Sequence, residues 1–494
     1  MNLIKKQGFY NSIILYAGTA LGFFNLIILF QRFLTAQQIG FFNLIIAVSL
    51  LIVQITSLGF GSVIIRYFPY FKTDDKTHNG FPFYVFKVTL FAFLLVSLAY
   101  IAGKTFFFKL EDGNNGSSLF YKYYYLIIPV ALFTLWYNLA ETFARASFNN
   151  IFPSFLREVV LKLLTSLAVL LIFFQVIVYQ HFVYWYVAAN LFILIILLVY
   201  LKKQNLLKFG KVTANVKSQS PQILRYGLYA MLAGGSFAMI QNIDTVLLKV
   251  FLGEAAVGYY GTFFGMAMVV SLPAKALSTT SYPIIAEAWK TNDLAKINKI
   301  YKKTSLVQFL IGCLLLIGLI ANWQNILFLL YKPEYKNFYS VFIIIGLGFL
   351  FDITGGLNGA IISFSKHYKL VMYILVAAAI LCAILNILLI PKLGMLGAAI
   401  AYSGTMFALN FTYWLYLSIK YKLQPFDFKF LVLIFIALIS LAIGLLLPYF
   451  LNFYVDVFLR SAFVTIIYLG LCYGFKISSD INEFMLQIVI KLKF

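Results

Sequence analysis

Phe33-Leu34-Thr35-Ala36-Gln37-Gln38-Ile39-Gly40-Phe41-Phe42 aligns without a gap to Phe251-Leu252-Gly253-Glu254-Ala255-Ala256-Val257-Gly258-Tyr259-Tyr260. Each copy runs from an apolar Phe-Leu end through a short stretch to a glycine and an aromatic pair. On sequence, each reads as a short turn at a membrane interface: the glycine permits a tight bend and the aromatics sit at headgroup level. Equal spacing in two distant places predicts an internal duplication, and repeat-built transporters usually bind their cargo near the bilayer midplane where the repeats meet.

Working outward from the two copies in runs of roughly 20 apolar residues, spans fall at 9–31, 42–65, 83–103, 123–145, 157–179 and 183–201. A basic stretch follows, holding Lys202, Lys203, Lys208, Lys211 and Lys217. Beyond it come spans at 226–252, 256–278, 304–322, 339–362, 369–390 and 396–418, then a last pair at 429–449 and 457–475. The expected architecture is an all-α integral membrane protein of about fourteen transmembrane helices. Residues 1–201 and 226–418 form two pseudo-symmetric six-helix bundles joined by a cytoplasmic linker over 202–225. An added helix pair occupies 419–475, and 476–494 is a cytoplasmic tail. In that tail Ile481, Phe484, Met485 and Ile488 follow helical spacing and Lys491 and Lys493 face anionic headgroups, the pattern of a surface helix; a frayed end is the alternative.

Composition supports a chain dissolved in lipid: 63% of its 494 residues are hydrophobic and 11% charged. The 38 Lys and Arg against 16 Asp and Glu give +22, but the basic residues lie in short loops between apolar runs, so the charge is topological and a nucleic-acid partner is not indicated. Their bias places both termini on the cytoplasmic side of the cell's inner membrane. Lys5 and Lys6 precede an apolar run from Phe9 to Phe30 that is too long for a signal peptide and reads as the first retained helix. Cys313, Cys382 and Cys472 lie in apolar runs without metal spacing, and His78, His181 and His367 are scattered. No metal, cofactor or acid–base pair for catalysis is indicated.

Several segments together resemble the multidrug/oligosaccharidyl-lipid/polysaccharide exporter superfamily. They are Phe33 to Phe42 with Leu58-Gly59-Phe60-Gly61-Ser62 and Arg66; Asn242-Ile243-Asp244 through Gly258-Tyr259-Tyr260; Tyr282-Pro283; and Pro391-Lys392-Leu393-Gly394-Met395-Leu396-Gly397-Ala398-Ala399. Within it the chain is similar to the polysaccharide-biosynthesis branch, which flips O-antigen, capsule or exopolysaccharide repeat units. The resemblance implies a MATE-like pair of bundles that alternates between inward-open and outward-open states, a polyprenyl-linked oligosaccharide as cargo and membrane lipid as surroundings. It also implies neighbours in a polysaccharide-assembly pathway. The Asn-Ser-Arg pattern associated with lipid II flippases is absent from Gly18-Thr19-Ala20-Leu21-Gly22, and drug exporters of the superfamily usually carry twelve helices. A lipid II flippase and an ion-coupled exporter of amphipathic small molecules remain the alternatives. A polymerase or acyltransferase would need larger catalytic loops than the short outside loops here.

A pyrophosphate-linked sugar calls for cations, hydrogen-bonding groups and an apolar gap for its tail, so ionisable residues inside the spans are the candidates. Lys275, just after Pro273, is the first cation to meet pyrophosphate; Arg66 ends the corresponding helix of the first half, with Lys87 and Lys162 weaker in kind. Each of these can instead anchor a helix end by snorkelling. Glu141 and Arg145 stand four apart and can pair with each other or meet cargo. Asp352, mid-helix before Gly355, Gly356 and Asn358, is an ion-coupling candidate, and Asp244 can couple an ion or pair with Lys249.

Overall fold

Helix starts are set by groups that satisfy free backbone amides. Thr35 is extended (φ −72°, ψ 160°), its hydroxyl accepts from the Gln38 amide at 3.2 Å, and the Gln38 side chain accepts from the Thr35 amide at 2.9 Å. This capping box starts a helix at Ala36 that runs to Thr56. The first repeat copy is therefore a cap and the first turns of a helix. Gly40 lies inside that helix, not at a bend, which corrects the sequence expectation; the corresponding turn in the second copy is made by Gly253 at φ +85°. The span expected over 42–65 also ends early. Leu58 (φ +47°) and Gly59 (φ +71°) turn the chain before a new helix, Phe60–Phe71.

The computed structural model describes residues 2–73, 77–105, 118–204, 206, 208–449, 452–478 and 482. The side chains of 2–9, 275, 276 and 279 lie outside the description, as do the expectations placed on Lys5, Lys6 and the tail residues Ile481 to Lys493. Among the described residues the chain is helical without strands, and twelve helices are long and apolar enough to cross a membrane. It is a multi-pass membrane protein. Two further helices, 151–173 and Met395–Tyr421, stand where spans were expected over 157–179 and 396–418. At 1.5 Å per residue both have the length to span, but the first carries Arg157, Glu158 and Lys162 and the second carries several hydroxyls and Asn410. Helix Ala214–Leu252 takes in the second half of the segment read as a linker.

The chain folds into two compact units: Met1–Thr262 with Ala379–Met395, and Phe263–Ala378 with Leu396–Phe494. In the first, the repeat copies pack on each other. A Cβ on Gly40 would overlap the Glu254 carbonyl oxygen, and one on Gly258 would overlap the Ala36 carbonyl oxygen. Each glycine thus seats on the residue four positions before the other's, a reciprocal crossing that only glycine allows. Beside it the buried Glu254 carboxylate accepts from Gln37 Nε2 (3.0 Å), Ser118 Oγ (2.7 Å) and the amides of Leu119 (3.2 Å) and Phe120 (2.6 Å).

The second unit is held by a charged group in its core. Arg460 and Asp456 pair at 3.0 Å with side chains 2% and 0% exposed. The guanidinium also donates to the carbonyls of Gly444 (2.6 Å) and Pro448 (3.2 Å), at the end of helix Phe428–Leu446, while Asn325 donates to Asp456. The Gly444 carbonyl is one that the helix end leaves without an internal partner, and Pro448 lies just beyond it. The group ties helices Trp323–Leu330, Phe428–Leu446 and Phe453–Gly474 together.

Candidate functional site: a polar cavity and an apolar groove

Asn25–Leu29, in the first helix, and Leu156–Val160, in helix 151–173, are both π-helical, an insertion often found at functional sites. They lie where these two helices pack. Gly18 lets the second helix approach, since a Cβ there would stand 2.6 Å from the Glu158 carbonyl oxygen. Asn25 Nδ2 donates to the Lys162 carbonyl at 3.1 Å and Asn25 Oδ1 accepts from Ser166 Oγ at 2.6 Å. Between these helices and Ala36–Thr56, Ile127–Ala146 and Tyr179–Lys203 is a cavity of about 360 Å³.

The cavity combines charges, amides and rings. Lys162 Nζ donates to Glu158 Oε2 (2.8 Å) and to the Gly18 carbonyl (2.9 Å). Arg157 donates to Asn138 Oδ1 and to Glu141 Oε2 at 3.3 Å, and Arg145 meets the other oxygen of Glu141 at 3.4 Å. The side chains of Arg157, Glu158 and Lys162 keep 35%, 29% and 30% of their exposure, so the cavity is open rather than sealed. Asn43, Thr134 and Asn190 add polar groups, while Phe30, Phe42, Tyr137 and Tyr186 add rings.

In the second unit is a groove of about 610 Å³ lined almost wholly by hydrocarbon and aromatic side chains. Its lining includes Phe309 and Ile317, Leu347, Phe407 and Trp414, and Phe430. Thr354, Gly355 and Asn410 lie at its edge. Asp352 is close by, hydrogen-bonded to Asn410, which also accepts from Asn358 Nδ2 at 2.9 Å. These groups surround a break in the helix at Gly356 (φ +59°).

The sequence-derived residues distribute unevenly over these features. Glu141 and Arg145 pair as their spacing implied, and Arg157, which sequence reasoning passed over, joins them. Arg66 is exposed, with its guanidinium 4.5 Å from the Tyr226 ring centre, and Lys87 is exposed on helix Phe81–Ala102. Lys275 falls within helix Leu272–Lys290, but its side chain is among those not described. Asp244 is buried, accepting from the Thr245 amide at 2.7 Å beside the Tyr260 hydroxyl. Lys249 is buried over the rings of Phe120 and Tyr121, at 5.9 and 5.6 Å. No described ion pair joins it to Asp244; five positions along a helix put the two side chains on different faces.

Residues 4–289, more than half of the chain, match the sequence pattern of polysaccharide biosynthesis proteins. The chain belongs to that family. Within reach of this polysaccharide biosynthesis protein are a capsular polysaccharide biosynthesis protein, CapF, of Staphylococcus aureus, 25% identical over 174 residues (35% of this chain, 44% of CapF). A probable low-salt glycan biosynthesis flippase, Agl15, of Haloferax volcanii is 20% identical over 205 residues (41% and 43%). The chain spans between 43% and 51% of the length of the curated relatives it matches. Among solved structures, the fold is shared with lipid II flippase MurJ in an inward closed conformation (TM-score 0.77, 15% identity, 94% of this chain and 98% of MurJ). It is shared also with an inward-facing multidrug resistance MATE family transporter of the MOP superfamily (TM-score 0.64, 13% identity, 81% and 94%).

Proposed function

We propose that the protein is a flippase that carries polyprenyl-pyrophosphate-linked oligosaccharide repeat units from the cytoplasmic to the outer face of the cytoplasmic membrane. The observation that carries this reading is the presence, in one multi-pass chain of the polysaccharide biosynthesis family, of an open polar cavity and a separate apolar groove. A cargo with a sugar head and a long hydrocarbon tail needs both kinds of surface. The protein acts as a carrier and not as an enzyme, with both termini cytoplasmic, and its two six-helix bundles alternate access. Arg66, Lys87 and Lys275 serve as cations for the pyrophosphate, and Asp352 and Asp244 as groups that can link transport to an ion. The supply of cargo by glycosyltransferases and its consumption by a polymerase follow from the same reading.

The test is mass spectrometry of lipid-linked glycans with and without depletion of the protein, together with an assay of which membrane face they occupy. Accumulation of one glycan on the cytoplasmic face is expected on depletion. An unchanged pool with unchanged sidedness would overturn the reading.

A further inference from the structure

Helix Leu294–Ala321 is longer than a bilayer requires. Residues 304–321 carry no charge, and at about 1.5 Å each they come close to crossing a hydrocarbon core of about 30 Å. The residues before them, 294–303, therefore project to headgroup level and beyond. On this stub Lys296, Lys299, Lys302 and Lys303 are exposed, while Ile297 and Tyr301 are fully buried beneath it. Neighbouring turns fasten to the same place. The Gln424 amide donates to Asn298 Oδ1 at 3.1 Å, Trp289 Nε1 donates to the Ile361 carbonyl at 2.9 Å, and Tyr421 Oη lies 2.8 Å from His367 Nδ1. The Trp289 and Tyr421 rings are 5.0 Å apart. Segments 287–303, 366–369 and 420–429 thus share one end of the second unit, and together they hold ten lysines and three acidic residues. Two of those acids are engaged at helix starts: Asp293 accepts from the Lys296 amide at 2.9 Å and Asp427 from the Lys429 amide at 3.0 Å. The third, Glu287, is 70% exposed and reaches Lys296 only at 3.9 Å, a surface pair of little weight.

An excess of lysine at one end also satisfies the positive-inside rule, but that rule acts during insertion and asks nothing of how the lysines are mounted. Here they stand on packed helix ends, with exposed apolar side chains among them: Leu294 near Lys296, Tyr368 next to Lys369, Ile419 next to Lys420 and Phe428 next to Lys429. An acidic protein docking from water has no use for those apolar groups. A lipid leaflet takes both, the apolar side chains at the edge of the hydrocarbon and the ammonium groups among the phosphates. From this we infer that this end of the second unit is a binding surface for anionic phospholipid headgroups, held by its exposed lysines. The inference goes beyond the flippase reading and does not depend on it. Attraction of this kind adds up over the lysines near the leaflet and decays within a Debye length, about 8 Å at physiological ionic strength. It is therefore selective for net negative headgroups and sensitive to salt.

The full-length protein in phosphatidylcholine vesicles tests this by electron spin resonance of spin-labelled phosphatidylglycerol and phosphatidylcholine, which reports the share of each lipid held at the protein. Wild type is expected to prefer phosphatidylglycerol by about fivefold, and the preference should shrink in about 1 M salt, where the Debye length is about 3 Å. The triple change Lys296→Gln, Lys299→Gln and Lys302→Gln should lower it to about twofold. Lys336→Gln, an exposed lysine beyond the other end of the same helix, should leave it unchanged. Lys366→Gln with Lys420→Gln keeps the test valid should the triple variant fold poorly, and is expected to lower the preference as well. Equal retention of the two lipids by wild type, or a preference that survives in both lysine variants, would overturn the inference. So would tight binding of an octaglutamate peptide that the triple variant loses while its lipid preference stays as in wild type, which would give the surface to an acidic protein. Unchanged glycan sidedness on depletion would remove the flippase reading and leave this surface standing.

Discussion

Gly40 and Gly258 show how much a single missing Cβ can decide. Because each would overlap a backbone carbonyl of the other helix, no side-chain rotation relieves a substitution; the helices themselves must move apart. Gly40→Ala or Gly258→Ala is expected to cost about 1–3 kcal/mol through overpacking, read as a lowered melting temperature of the purified protein. A melting temperature equal to wild type would show that the crossing is looser than its geometry indicates. Glu254 adds a second constraint at this crossing. Glu254→Gln turns one acceptor oxygen into a donor that faces either the Ser118 hydroxyl and the Phe120 amide or the Leu119 amide and Gln37 Nε2, and unmade bonds of this kind cost about 1–3 kcal/mol. Glu254→Gln should therefore destabilise the protein, whereas Glu287→Gln, on a largely exposed side chain, should not. The two repeat copies were legible in the sequence and so was their equivalence. The role of their glycines was not, because a glycine that makes a bend and one that admits another helix are the same letter. The capping box at Thr35-Ala36-Gln37-Gln38 was the available signal that the helix had already begun.

Elements differ in how openly the sequence declares them. Apolar runs predicted the spans, and the structure places helices at all of them, twelve of these among the described residues long and apolar enough to cross a membrane, with ends displaced wherever a cap or a left-handed residue intervenes, as at Leu58 and Gly59. The π-helical insertions at Asn25–Leu29 and Leu156–Val160 have no such signature. Arg157 and Glu158 stand at the start of the expected span 157–179, where a charged residue ordinarily marks a helix end; the helix in fact begins at Ile151, so both lie more than a turn inside it. Asp456 escaped notice for the same reason, one residue before the expected span 457–475. With Arg460 it forms the buried group that holds the last two helices, and removing one partner of such a pair leaves the other charge stranded. Asp456→Ala is expected to cost about 3–5 kcal/mol, and the paired change Asp456→Leu with Arg460→Met much less, since replacing both charges by apolar groups is often near neutral. Thermal unfolding of the three proteins in detergent decides this. A double variant as unstable as Asp456→Ala would mean that the carbonyls capped by Arg460, at Gly444, Leu447 and Pro448, matter more than the pair itself.

At the scale of the molecule, the apolar groove makes a claim about rate and not about affinity. A polyprenyl chain leaving the bilayer for a hydrocarbon-lined groove exchanges one apolar surrounding for another, so no hydrophobic gain accompanies the transfer. What the groove can do is keep the tail in an apolar path while the sugar head is moved through a polar one. If this is its part in the cycle, filling it should hinder long-tailed cargo selectively. Leu347→Trp adds bulk to a wall of the groove and is expected to slow translocation of a full-length polyprenyl-linked glycan by about tenfold, or about 1.4 kcal/mol in the barrier. The same glycan on a two-isoprene tail should be slowed far less. Proteoliposomes with each lipid, assayed for glycan reaching the far leaflet, separate the two effects. Equal slowing of both cargoes would place the fault in the carrier's own motion, and no slowing of either would leave the groove outside the path of the tail.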